Sequence, residues 1–202
     1  MHNPDAFFDT LAVIGELDLP LGGVSRLEVQ RSAYLACLLA LYDGRPLSDW
    51  GHRFACTEFG TPFSAGVNDA LDTLADAGHL IERNGRLSLS GSGRLLLQTL
   101  FGMASMMERR RFLTAACGSA LIVPPATFTQ SLDNEPTLRR ALQREKGGGL
   151  LDGPALTLLY EQFEALAQVV ERRGDDLLTP SVVWLSYMAD QPVTRQDHGV
   201  DR

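Results

Sequence analysis

Apolar residues recur every three or four positions along most of this chain, which is the spacing of amphipathic helices. The first apolar run follows Asn3 and Pro4, a typical cap and first-turn residue, so we expect a helix that ends before a linker at 19–23. A second helix should begin at Ser25, because Ser25 and Glu28 have the spacing of a capping box. The pattern therefore predicts a mainly α protein.

The next stretch of the chain predicts two further helices, a hairpin and a long helix. A short helix is expected at 47–55, and another should begin at Ser64, a typical cap residue. Asn84-Gly85 is the dipeptide that most readily forms a type I′ turn, and it lies between two four-residue runs that fit strands. A long helix is expected to begin near Arg94, after the hairpin.

The pattern after Pro125 is again helical. We expect helices at 135–146, from Pro154, and at 180–189, and a disordered tail at 191–202. One apolar stripe steps by three and four residues along the helix that begins at Pro154. It is either the core face of that helix or a seam for a partner helix, and both interpretations stay open. The stripe consists of Leu156, Leu159, Phe163, Leu166 and Val170.

The 202 residues divide into four predicted segments. They are an N-terminal helix and linker at 1–24, a domain with the long helix at 25–118, a helical extension at 126–190, and the tail at 191–202. The composition is 45% hydrophobic and 21% charged, which is typical of a folded protein and excludes a disordered one. A chain of this length buries enough surface to fold without a disulfide or metal.

Composition also limits the location and the chemistry. No apolar run reaches the length of a membrane-spanning helix, and the first residues lack the basic start of a signal peptide, so we expect a cytoplasmic protein. Cys37, Cys56 and Cys117 form no CxxC pair, which favours neither a disulfide framework nor a metal site. The chain has no phosphate-binding glycine loop and no nucleophile-elbow motif, so we expect no cofactor and no enzymatic activity. Distant Ser, His and Asp side chains can still meet in a fold, but no motif favours a catalytic triad.

The order of three helices, a two-stranded hairpin and a further helix resembles the winged helix-turn-helix domain of bacterial proteins. The resemblance lies within residues 25–100 and is carried by the run Ala70-Leu71-x-x-Leu74-x-x-x-Gly78-x-Leu80-Ile81-x-x-Asn84-Gly85-Arg86-Leu87-x-Leu89-Ser90-x-x-Gly93. It implies a mainly α protein with a winged helix-turn-helix domain of three helices and a two-stranded wing, followed by a helical C-terminal extension. This fold serves DNA-binding proteins and protein-docking subunits alike.

The charge on the third helix favours one of those two uses. In a DNA-binding winged helix this helix enters the major groove, where Lys and Arg side chains neutralise phosphates. The outward positions here include Asp69, Asp72 and Asp76 and no Lys or Arg, so we interpret them as a partner-docking surface; the formal charge of the chain, −7, agrees. Arginines near the predicted wing are the candidate DNA or phosphate contacts. They are Arg45, Arg53, Arg83, Arg86 and Arg94.

Two functions fit these observations. The first is a non-enzymatic subunit that docks protein partners, with Met103, Met106 and Met107 as an adaptable surface. It is similar to the small winged-helix accessory subunits of bacterial condensin-like SMC complexes and to the middle components of three-component ABC-ATPase systems of phage defence. That resemblance implies an ATPase partner and DNA that is bound by the assembled complex. The alternative is a homodimeric winged-helix transcription regulator, in which the wing arginines supply most of the affinity for DNA.

Overall fold

The computed structural model describes residues 3–143, 149–171 and 175–191. Within these ranges the chain is mainly helical, as the sequence predicts. The helices are α1 (Pro4–Leu21), α2 (Arg26–Tyr42), α3 (Ala65–Asp76), α4 (Gly91–Phe101), α5 (Ala104–Ile122), α6 (Pro125–Asp133), α7 (Pro136–Leu142), α8 (Gly153–Val169) and α9 (Leu178–Ala189). A 3-10 turn covers Leu47–Trp50, and two antiparallel hairpins pair β1 (Ala55–Cys56) with β2 (Pro62–Phe63) and β3 (Leu80–Arg83) with β4 (Arg86–Leu89).

Helix α1 lies at the centre of the fold. Its residues 11–14 are all buried, so the helix is covered on every side by α2, α3, α4, α5 and β4. Gly15 contributes to this packing, because a Cβ at this position would collide with the side chain of Leu97. A helix that is apolar around its whole circumference can be stable only inside a core.

The prediction of a linker at 19–23 is wrong for residues 19–21, because α1 continues through Leu21. Pro20 lies in the last turn, where a missing N–H removes only one helical hydrogen bond. The helix ends instead at Gly22, which has a φ of 66°, and the N–H of Gly23 bonds to the carbonyl of Asp18 at 2.7 Å. A glycine in the left-handed conformation is a common helix terminator.

The region between α2 and α3 also differs from the expectation. The helix predicted at 47–55 is wrong: a single 3-10 turn ends at Gly51, whose φ is 85°, and the chain then forms the β1–β2 hairpin. A third strand-like contact supports β1, because the N–H of Leu150 bonds to the carbonyl of Phe54 at 2.8 Å. The three helices that pack together before the β3–β4 hairpin are therefore α1, α2 and α3.

The single long helix predicted from Arg94 is in fact two helices, α4 and α5. The break lies at Gly102 and Met103, and Met103 has an extended backbone. Glycine favours the end of a helix because its backbone loses the most freedom in a helix interior. The break leaves the ring of Phe101 against Phe8 of α1, with a ring separation of 6.0 Å, and lets both helices pack on α1.

The helices after residue 123 pack on the rest of the chain and share its core. Buried side chains from α1 through α9 form one continuous hydrophobic cluster. Ser119 of α5 donates a hydrogen bond to Ser181 of α9 at 2.7 Å, and Tyr34 of α2 reaches α7. The boundaries suggested at residues 24 and 118 therefore do not separate independent cores. The ends of two predicted segments, 144–146 and 192–202, lie outside the described residues.

Among the described residues, no helix combines the length and the apolar character that a membrane crossing requires.

Candidate interaction surface

Helix α3 separates its apolar and acidic residues onto opposite faces. The side chain of Ser64 accepts a hydrogen bond from the Val67 N–H at the start of the helix, as the sequence predicts, and the apolar face is buried against α1 and α2. The opposite face carries Asp69, Asp72 and Asp76, all exposed. Charged side chains at three- and four-residue spacing share one face of a helix, so the three carboxylates form one surface.

The carboxylates on α3 are only partly neutralised. Asp72 forms an ion pair with Arg26 at 2.8 Å, and the amide of Asn68 also donates to it. Asp69 and Asp76 have no ion-pair partner within the part of the chain that the structure describes. The outward face of α3 therefore keeps a net negative charge.

The β3–β4 hairpin has the turn that the sequence predicts. Asn84 and Gly85 have φ values of 53° and 72°, which are the positive values of a type I′ turn. On its other side, β4 forms a bridge to Val24, with two hydrogen bonds of 2.8 Å between Val24 and Leu87. The hairpin thus remains two-stranded, with an isolated bridge to Val24 on the β4 side and β3 as its outer edge, and Arg83 is exposed beside the turn.

Three of the five arginines proposed as phosphate contacts form bonds within the chain. Arg86 donates to the carbonyls of Leu21 and Gly23 and lies 3.3 Å from Glu28, so it covers the end of α1. Arg94 pairs with Asp18 at 3.4 Å.

The third of these arginines, Arg45, pairs with Glu108 of α5. Arg53 and Arg83 are exposed and have no ion-pair partner among the residues described. All five arginines stay predictions as DNA contacts. Three of them, Arg45, Arg86 and Arg94, already form bonds that join elements of the fold.

The methionines of the predicted adaptable surface divide between core and solvent. Met107 is 65% exposed and Met103 is 46% exposed, whereas Met106 packs against the core. Met103 and Met107 remain available for a partner.

The apolar stripe of α8 is the core face of that helix, one of the two interpretations that the sequence left open. Leu159 and Phe163 are buried, and the Phe163 ring contacts Tyr42 and Trp184 at ring separations of 5.6 and 5.9 Å. The other three residues, Leu156, Leu166 and Val170, are half-buried. The chain itself covers Leu159 and Phe163, whereas a partner-helix contact at the three half-buried positions stays a prediction.

A buried polar cluster that sequence reasoning missed lies where α1, α3 and α5 meet. His52 bonds through Nε2 to Asp9 at 2.8 Å and through Nδ1 to the Ser64 hydroxyl at 3.0 Å. Arg109 donates to both carboxylate oxygens of Asp9, at 2.5 and 2.7 Å, and to the Trp50 carbonyl at 2.7 Å. The one signal in the sequence was an acid in the middle of the apolar helix α1.

Asp9, His52 and Ser64 are the three residue types of a catalytic triad, but their environment is that of a structural cluster. Ser64 is completely buried and caps α3, so its hydroxyl has no access to a substrate. Asp9 is held by Arg109, and a carboxylate in a two-bond contact with a guanidinium is a strong structural pair. The cluster orients three elements and presents no reactive group to solvent.

A second buried cluster joins α2 to α7. Glu135 accepts hydrogen bonds from the backbone N–H groups of Thr137 and Leu138 and from the Tyr34 hydroxyl, at 2.8 to 2.9 Å. Burial raises the pKa of the Glu135 carboxyl above its usual range, and burial together with the Glu135 charge raises the pKa of Tyr34. An acid at a helix start is an ordinary cap in a sequence, and only the fold shows that it is buried.

The cysteines and histidines show no metal-binding arrangement in the described ranges. No group of three or more His, Cys, Asp or Glu side chains there is placed to hold a metal ion, and both ring nitrogens of His52 are already bonded. Burial raises the pKa of the thiols of Cys37, Cys56 and Cys117, which lowers their reactivity because the thiolate is the nucleophile.

No protein-family model, no curated protein and no solved structure matches this chain. The most distinctive surface in the described ranges is an acidic helix face beside a hairpin with an exposed arginine.

Proposed function

We propose that this protein is a non-enzymatic winged-helix subunit whose acidic α3 face binds a basic surface of a partner protein. In this proposal α1, α2 and α3 are the three helices of the domain, β3 and β4 form the wing, and α6 to α9 are the helical extension. The order of these elements and the bridge from Val24 to β4 support the winged-helix assignment. The observation that carries the docking function is the pair of unneutralised carboxylates of Asp69 and Asp76.

Electrostatics favour a protein partner over DNA on this face. Binding to a duplex draws mainly on Lys and Arg that neutralise phosphates, and α3 contains neither. Arg26, the cation beside α3, already pairs with Asp72. A basic protein surface is the complementary partner, because opposite potentials on two surfaces accelerate encounter and fix the register of docking.

The resemblance to SMC-associated and ABC-ATPase-associated subunits supplies the kind of assembly that we propose. The partner would be an ATPase in a cytoplasmic, DNA-associated complex, and DNA would be bound mainly by the assembled complex. Met103 and Met107 would add an adaptable apolar contact, since both are exposed.

The proposal is tested by charge reversal with a matched control. The tagged protein, its Asp69→Lys/Asp76→Lys variant and a Glu161→Lys/Glu164→Lys control on α8 are purified from the source cells, and co-purified proteins are quantified by mass spectrometry. All four acids are exposed, so both double variants change the net charge equally. We expect a specific partner that the α3 variant loses and the control retains. A partner retained equally by both variants would contradict docking through α3.

The second candidate, a homodimeric DNA-binding regulator, is favoured by the exposed Arg83 beside the hairpin turn. In that case the protein should bind random duplex DNA with a steep salt dependence, and Arg83→Ala should reduce the slope by about one. Fluorescence anisotropy across a salt series and gel filtration measure both properties. No binding at low salt would exclude this candidate and leave the first.

A further inference from the structure

The outer edge of strand β3 has backbone groups that bond to nothing in the described ranges. On β4, Leu87 exchanges two hydrogen bonds with Val24, and the Leu89 N–H donates to a side chain of α1, so both residues direct their backbone groups away from β3. The residues opposite them are Glu82 and Leu80. Opposite residues of an antiparallel ladder either bond to each other or both point away, so Glu82 and Leu80 direct their N–H and C=O groups outward.

Strand β3, which the structure describes completely, lacks the usual features that protect an edge. It contains no proline, and its pairing with β4 runs through all four residues without a bulge. Ile81, inside the strand, is 40% exposed. An edge that combines unpaired backbone groups with an exposed apolar side chain is a template for a further strand.

Two copies of this edge are complementary to each other. In antiparallel pairing about a two-fold axis at Ile81, Leu80 of each copy lies opposite Glu82 of the other, and these two pairs exchange four hydrogen bonds. Displacing one strand by two residues leaves only two of those bonds, and in one direction it places the two Glu82 side chains opposite each other, where like charges repel. The register about Ile81 therefore satisfies every outward backbone group of both strands.

The side chains favour the same register. The two Ile81 side chains share one face at a non-hydrogen-bonded position, where the Cα atoms of a pair are about 4.5 Å apart. Arg83 of each copy lies opposite residue 79 of the other, just beyond the end of α3. That helix has no basic residue in its last turn and ends at Asp76, so the negative end of its dipole and the carboxylate attract the guanidinium.

We propose that two copies of this chain associate by pairing their β3 strands, which joins the two hairpins into one four-stranded sheet. The contact is small, and interfaces below about 1,200 Å² are weak, so we expect half of the chains to be dimeric at a concentration on the order of 100 µM. The dimer presents two α3 faces in one assembly. This inference goes beyond the proposed docking function, and it is tested on purified protein without a partner, so that either proposal can fail alone.

Engineered cysteines test the register. Ile81→Cys places two thiols at the axis, where Cα atoms about 4.5 Å apart are within disulfide range. Ser88→Cys, on the same face of β4, is the control, because its two Cα atoms are separated by three strand spacings, about 14 Å. The native cysteines are buried and do not compete. Under mild oxidation we expect a disulfide-linked dimer from Ile81→Cys and none from Ser88→Cys. Equal yields from the two variants, or no dimer from Ile81→Cys, would overturn the pairing.

A backbone substitution tests the hydrogen bonds. Glu82→Pro removes an outward N–H and leaves the bonds between β3 and β4, whereas Glu82→Ala removes the same side chain and keeps the N–H. In sedimentation velocity, the wild type and Glu82→Ala should change from dimer to monomer on dilution from the millimolar to the micromolar range. Glu82→Pro should stay monomeric throughout, with circular dichroism confirming that it is folded. A wild type that is monomeric at every concentration would overturn the proposal.

A charge at the axis gives a second variant that leaves the backbone unchanged. Ile81→Lys places two like charges opposite each other and should prevent dimerisation. Ile122→Lys, the same change at an exposed position of α5, should dimerise as the wild type does. A dimer that persists in Ile81→Lys, or equal losses in both lysine variants, would show that the copies meet elsewhere and overturn the assignment of β3.

Discussion

Helices α1 and α3 both carry aspartates, but the surroundings of these side chains differ. On α1, Asp9 is completely buried between Arg109 and His52, and Asp18 is buried against the Leu89 N–H and Arg94. On α3, Asp69 and Asp76 are exposed and unpaired in the described structure. The comparison teaches that the buried acids join distant parts of the chain, whereas the exposed ones contribute little to the fold and can serve a partner.

The largest expected effect is the loss of Asp9. Asp9→Ala leaves the Arg109 guanidinium and a His52 nitrogen buried without their acceptor, and breaking a buried ion pair by removing one partner costs about 3–5 kcal/mol. Urea denaturation measures the free energy of unfolding. Asp69→Ala, the matched change on α3, should stay within about 0.5 kcal/mol of the wild type. Similar losses for both variants would break the distinction between the two helices.

A smaller, pH-dependent effect is expected at Glu135, a buried acid outside α1. Because burial raises its pKa in the folded state, the folded protein holds this proton more tightly than the unfolded chain does. We therefore expect the free energy of unfolding of the wild type, relative to that of Glu135→Gln, to fall as the pH rises above the usual Glu pKa of about 4.3. The decrease should be about 1.4 kcal/mol per pH unit until the pH passes the raised pKa of Glu135.

Urea denaturation at a series of pH values tests this, with Glu164→Gln as the control for an exposed acid. The control should follow the wild-type profile. A constant difference between the wild type and Glu135→Gln at every pH would contradict the raised pKa.

The smallest expected change in the free energy of unfolding distinguishes two arginines, Arg94 and Arg83. Arg94→Ala removes the ion pair of the buried Asp18 but leaves its hydrogen bond from the Leu89 N–H, so we expect a loss of about 1 kcal/mol. Arg83→Ala removes no intramolecular bond that the structure describes and should change stability by less than about 0.5 kcal/mol. Urea denaturation again distinguishes them; a larger loss for Arg83→Ala would assign it a structural role.

Elements that are specified by neighbouring residues were predictable from the sequence. The capping box of α2 is present, with Ser25 N–H bonded to Glu28 at 2.7 Å and Glu28 N–H to the Ser25 hydroxyl at 3.2 Å. The turn at Asn84 and Gly85 also formed as predicted, because these residues tolerate positive φ at little cost.

Elements that are specified by distant contacts were not predictable. The segment at 47–55 has a helical pattern, but its strand β1 is fixed by partners in β2 and at Gly149. Asp9 and Arg109 are separated by 100 residues, so no local pattern joins them. The acids of α3 on the candidate surface were recognised from their helical spacing. The intramolecular bonds of Arg86 and Arg94 were not predictable, because they depend on where α1 ends.

The central position of α1 has a consequence for biosynthesis. Ribosomes add about 5–20 residues per second, so roughly 5–20 s pass between the synthesis of Asp9 and that of Arg109, which lies 100 residues later. During that interval the buried helix α1 lacks its ion-pair partner, and the elements that cover it, from α2 to α5, are completed only one after another. We therefore expect the nascent chain to depend on chaperones that hold exposed apolar helices, and its yield to fall when translation is slowed between α1 and α5.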